Sequence, residues 1–109
     1  MSLPTPENPG RAPVWENYVI AQAVAASRGQ IPEHALAFGV EVDGPRLRLR
    51  FQLSEVTEGD RADMDDIVSE LEGLVCDDVE VESSYEVLEQ RQISPTDGVC
   101  WIFLARVTA

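Results

Sequence analysis

Lysine is absent from this chain of 109 residues, and all eight of its basic side chains are arginine. Without an ε-amine there is no Schiff-base chemistry and no lysine for a Walker-type phosphate loop. Histidine is scarce too. His34 stands alone in a loop just after Pro32, which rules out a histidine-based metal cluster and gives little basis for acid–base catalysis. Cys76 and Cys100 are far apart and form no CxxC pair, so two buried free thiols are expected. No GxGxxG, GxSxG, P-loop or HExxH motif appears. No apolar run approaches the length that spans a bilayer. Residues 1–13 carry Pro4, Pro6, Glu7, Pro9, Gly10 and Pro13 where a secretory leader needs an apolar stretch, so no targeting peptide and a cytoplasmic location are expected.

Negative charge is abundant. Twenty acids against eight bases give a net charge of −12. Such a surface opposes direct contact with nucleic-acid phosphates and with anionic lipid, so neither nucleic acid nor membrane is expected as a partner. The charge is also localised. Fourteen of the acids lie within residues 54–90, against the single base Arg61. A field of one sign on part of a surface steers a basic partner and speeds encounter, although a solvated face that aids solubility explains the same composition.

The length allows one core, giving a single α+β domain over residues 14–109 behind a flexible lead-in, 1–13. A helix is expected over 14–28, closed by Gly29 and Pro32, with a core stripe of Trp15, Tyr18, Val19, Ala23 and Ala26. Ile20 and Val24 fall off that stripe and offer an apolar interface. Next comes a hairpin. Leu36, Phe38, Val40 and Val42 alternate on one side of the Asp43-Gly44-Pro45 turn, and Leu47, Leu49, Phe51 and Leu53 on the other. This alternation sets Arg46, Arg48 and Arg50 in a row on the opposite face, within reach of Glu41, or of Glu80 and Glu82 if those strands adjoin.

A second helix is expected over 60–75 from the spacing of Met64, Ile67, Val68, Leu71, Leu74 and Val75, with Thr57 or Asp60 as its cap. Alternation of Val79, Val81, Tyr85 and Val87 with Glu80, Glu82 and Glu86 then reads as a strand. A turn at 94–98 and a last strand over 99–107 make a second hairpin the expected close. That last strand is apolar on both faces, through Trp101, Phe103, Ile102 and Leu104, which suggests a central position or a covered outer face. The order is αββαββ, read as one four-stranded, mainly antiparallel sheet with both helices on one face and strand order open.

The carboxylate run Asp60, Asp63, Asp65, Asp66 lacks the glycine and terminal glutamate of an EF-hand, and on a helix its members diverge. Glycosidase-type carboxylate pairs need a cleft that a chain of this size has little surface to build. The expectation is therefore a non-enzyme with no metal site, no catalytic residue and no cofactor.

With these elements in place, the sequence resembles small acidic bacterial immunity proteins that neutralise toxins. The likeness spans residues 15–107. It rests on the helix ending in Arg28-Gly29-Gln30-Ile31-Pro32, the hairpin of residues 40–51, the acidic helix of 63–71 and the aromatic last strand. The resemblance implies an acidic inhibitor that covers the basic active site of a nuclease-like toxin. It carries no binding position over residue by residue. The alternative is a small acidic secretion-type chaperone or adaptor that holds a segment of an effector, which would use the apolar Ile20 and Val24. The expected partner is a basic protein, and the chain itself a monomer or homodimer. The partner-binding acidic face is assigned to Asp65, Asp66, Glu70, Glu72, Asp77, Asp78, Glu80 and Glu82.

Overall fold

The computed structural model describes residues 12–75, 78–94 and 96–105. Its elements run α1 (Ala12–Ser27), β1 (Ala35–Asp43), β2 (Arg46–Leu53), α2 (Glu58–Leu74), β3 (Glu80–Val87) and β4 (Cys100–Leu104). The strands form one mixed sheet in the order β3-β2-β1-β4.

In α1, Trp15, Val19, Ala23 and Ala26 recur every third or fourth residue and are buried against the sheet, as the helical period requires. Tyr18, expected on that stripe, is largely exposed at its margin, where its hydroxyl donates to the Leu74 carbonyl (3.2 Å). The Trp15 indole N–H donates to the Gly44 carbonyl (2.6 Å) and ties the start of α1 to the β1–β2 turn. That turn is the two-residue connection Gly44-Pro45 between the paired Asp43 and Arg46, with Gly44 at φ +57°. A positive φ at the first turn residue suits the right-handed twist of the hairpin.

Thr57 caps α2 with a reciprocal capping box: its hydroxyl accepts from the Asp60 N–H, and the Asp60 carboxylate accepts from the Thr57 N–H. Met64, Ile67 and Leu71 of α2 are buried and join the α1 stripe in one core cluster with Phe38, Val40, Leu47, Leu49, Phe51 and Leu53. Both helices therefore cover the same face of the sheet, as the alternation implied. Phe38 and Phe51 stack at its centre, 5.0 Å between ring centroids.

The second half of the chain departs from the expected hairpin. β3 pairs with β2 in parallel, and β4 pairs with β1 antiparallel, so the two strands lie at opposite edges. The α2 crossover returns the chain before β3 begins, which makes a parallel pairing with β2 available. The connection over 88–99 is longer than the roughly two to five residues of a hairpin loop. Its described residues reach across the outer face of the sheet, where the Gln52 side chain accepts from the Gln92 N–H (2.8 Å) and donates to its carbonyl.

β4 is thus an edge strand, not a central one. Its two apolar faces do not come from a central position. A register shift opposite Phe38 and Gly39 leaves Ile102 and Phe103 both packed against the core, while Trp101 pairs with Gly39 on the outer face. Asp97 braces the approach to β4, accepting from the Ser94 N–H (3.0 Å), the Val99 N–H (3.1 Å) and the Trp101 indole (3.0 Å). Cys100 is an exposed free thiol, not a buried one, because it lies on this edge; Cys76 falls outside the described residues.

Gly39 is the position that admits β4. A Cβ there would stand 2.6 Å from the Cys100 carbonyl oxygen, 2.7 Å from Val99 and 2.9 Å from the Trp101 ring. Gly39→Ala is therefore expected to lower the unfolding free energy by about 1–3 kcal/mol, the usual cost of overpacking. Urea denaturation measures it, and a change of less than about 0.5 kcal/mol would contradict this close packing.

Candidate functional site

The acidic residues expected to form one face divide into two groups. On α2, Asp65, Asp66, Glu70 and Glu72 are exposed, and none of them forms an ion pair among the described residues. They sit on the turns facing away from Met64, Ile67 and Leu71, because the helical period that buries those three turns the intervening residues outward. Asp78 is exposed just before β3, and Asp77 lies outside the described residues.

On β3 the outcome differs. The parallel register sets Arg46 opposite Glu80 and Arg48 opposite Glu82. Arg46 Nε lies 3.7 Å from Glu80, Arg48 reaches Glu82 at 2.7 Å, and Arg50 joins Glu86 (3.2 Å) to Glu41. Glu80 and Glu82 are therefore each paired on one side by an arginine of β2, while their side chains remain exposed on the other. Exposed pairs of this kind contribute little each, but their alternation matches one particular register.

The apolar pair on α1 does not form a single bare face. Ile20 packs partly against the core, while Val24 is 40% exposed. Between α2 and β3 lies an open groove lined by Arg61, Met64, Asp65, Ser83, Ser84 and Tyr85. It is the place where an unpaired helix acid approaches exposed strand residues.

A second cluster escaped the sequence. His34, just before β1, is held between two carboxylates: Nδ1 lies 2.7 Å from Asp60 and Nε2 2.8 Å from Glu55. Asp60 is only 1% exposed, and it accepts from the His34 N–H (3.2 Å), the Thr57 N–H (2.9 Å) and the Thr57 hydroxyl (2.9 Å) as well. Burial alone would raise the Asp60 pKa, but the hydrogen bonds from Thr57 and His34 together hold it down to about 2. The hydrogen bond to Asp60 raises the His34 pKa above 6.5 against partial desolvation, helped by the charges of Asp60, Glu55 and Glu33. Both ring nitrogens are engaged, so the arrangement acts as a joint between β1, the β2–α2 loop and the start of α2. Residues 34 and 60 give no local signal of this contact in the sequence.

Among the described residues, no group of three or more His, Cys, Asp or Glu side chains is placed to hold a metal ion. No described helix is long and apolar enough to cross a membrane. No protein-family model matches the sequence, and no curated protein matches it.

The joint has a defined pH response. Asp60 is depressed on folding, so its contribution is present above about pH 4 and is lost as pH falls toward 2. His34 is raised, so its contribution is full below 6.5 and is lost as pH rises through its folded value. Stability is expected to peak between these limits. Asp60→Asn should cost more stability at pH 5 than at pH 9, and should return the His34 titration, followed by NMR of the imidazole, toward 6.5. An unchanged His34 titration in that variant would disprove the coupling.

Proposed function

We propose that this chain is a protein-binding domain that acts by association, not catalysis, and that its partner is a basic protein. The leading form of this reading is an immunity protein that neutralises a nuclease-like toxin in the bacterial cytoplasm. The observation that carries it is the division of charge. The β3 acids are matched by the arginine row, whereas Asp65, Asp66, Glu70 and Glu72 on α2 have no ion pair among the described residues. Unmatched surface charge of one sign steers an oppositely charged protein and disfavours phosphate-bearing partners.

A secretion-type chaperone is the second reading, favoured by the exposed Val14, Tyr18 and Val24 on α1. It requires a dimer through α1, so the mass in solution separates the two: a monomer supports the inhibitor, a dimer the chaperone.

The test begins with a partner captured from the native host and identified by mass spectrometry, which is expected to be a basic nuclease inhibited at equal stoichiometry. Replacing Asp66→Arg and Glu70→Arg should slow association by roughly ten-fold at low salt and flatten its dependence on ionic strength. Unchanged association would reduce the acidic face to a solubilising surface.

A further inference from the structure

β3 is an edge strand whose pairing with β2 runs from Arg46↔Glu80 to Leu53↔Val87 without a bulge. In a parallel ladder, alternate residues direct both backbone groups to the same neighbour. The Glu80 N–H donates to Pro45 (2.8 Å) and the Leu88 N–H to Leu53 (2.9 Å), so the even-numbered residues face β2. Val81, Ser83, Tyr85 and Val87 therefore direct their N–H and C=O groups away from the sheet. These groups meet no partner among the described residues.

Apart from its charged glutamates, the usual protections of such an edge are missing. The strand contains no proline, glycine or lysine, and no helix or loop among the described residues covers it. Every residue except the half-buried Val81 is exposed, with Tyr85 at 46% and Val87 at 56%.

Charge decides what fits there. Two copies joined antiparallel along this edge must set outward-bonding residues opposite one another. The two registers that overlap most fully then place Glu80 against Glu86, or Glu82 against Glu86, twice each by symmetry. No basic residue in β3 relieves that repulsion, and the arginines of β2 meet these glutamates only from the inner side. The inner edge shows what β3 accepts instead: Arg46 and Arg48 opposite Glu80 and Glu82, Arg50 reaching diagonally to Glu86, and leucine and phenylalanine on the other face.

We propose that the outward edge of β3 takes up an extended partner segment as a fifth strand, one in which basic residues alternate with apolar ones. Its basic residues meet Glu80, Glu82 and Glu86, and its apolar residues pack beside Ser83 and Tyr85 at the groove below α2, and beside Val87 further along the strand. This rests on the basic-protein reading above and names the form in which the partner is held.

The probe is a capped synthetic peptide with the sequence of this chain's own Arg46–Leu53, whose pattern already suits β3, added to the full isotope-labelled chain. Amide exchange at Val81, Ser83, Tyr85 and Val87 should slow by roughly ten-fold or more. A peptide with its three arginines replaced by glutamate should have no effect. Ser83→Pro removes an outward donor without touching the β2 ladder, and should abolish the protection. If that variant fails to fold, the four wild-type amides still decide the matter.

Protection of these amides in the free chain at low concentration would overturn the proposal, because the edge would already be filled by the chain. Protection that grows with protein concentration and a doubled mass would overturn it in favour of a second copy. Spectral changes confined to Asp65, Asp66 and Glu70 would also overturn it while leaving the basic-protein reading intact. No response anywhere overturns the edge. The basic-protein reading then stands or falls on the Asp66 and Glu70 association rates.

Discussion

Because α2 carries the chain back before β3 begins, β3 lies parallel to β2, and its glutamates fall along the arginine row of that strand. Much else follows from this pairing. It places β3 at one edge and leaves the other to β4, so the residues that follow β3 pass over the outer face of the sheet at Gln52. It pairs the sheet acids with arginines and leaves the helix acids without an ion pair among the described residues. It also turns the outward-bonding residues Val81, Ser83, Tyr85 and Val87 to solvent. One register thus sets both the sheet order and the distribution of charge that the proposed function uses.

The β2–α2 crossover has its own anchor. Asp60 caps α2 through Thr57 and holds His34 at the entry to β1, so one buried carboxylate links three segments of the chain. A buried ion pair gains little over an apolar replacement, but removing one partner leaves a charge without compensation. The same contacts fix where α2 starts.

Several elements were legible because they are local. The periods of Trp15, Val19, Ala23 and Ala26 and of Met64, Ile67 and Leu71 reported two helices and their buried stripes. Alternation around Gly44 reported the first hairpin and the arginine row. Alternation identifies a strand but not its neighbour, so β3 and β4 were recognised as strands and wrongly paired with each other. The double-sided apolar character of β4 came from a register shift at an edge, which periodicity does not distinguish from a central strand. The exposed Cys100 follows from the same misplacement. For the candidate site, the helix acids were legible as an outward face. The pairing of Glu80 and Glu82 with the arginines depended on tertiary register and was one of two arrangements the sequence left open. His34 and Asp60 meet only through the fold.

The central claim is that the acids of β3 support the fold while those of α2 do not. Equilibrium urea unfolding of two neutralised variants, Glu80→Gln with Glu82→Gln and Asp66→Asn with Glu70→Asn, tests it at low and high salt. The account predicts a lower midpoint for the first pair, with the deficit shrinking as salt screens the ladder, and an equal or higher midpoint for the second. A loss of stability in the α2 variant alongside none in the β3 variant would contradict it.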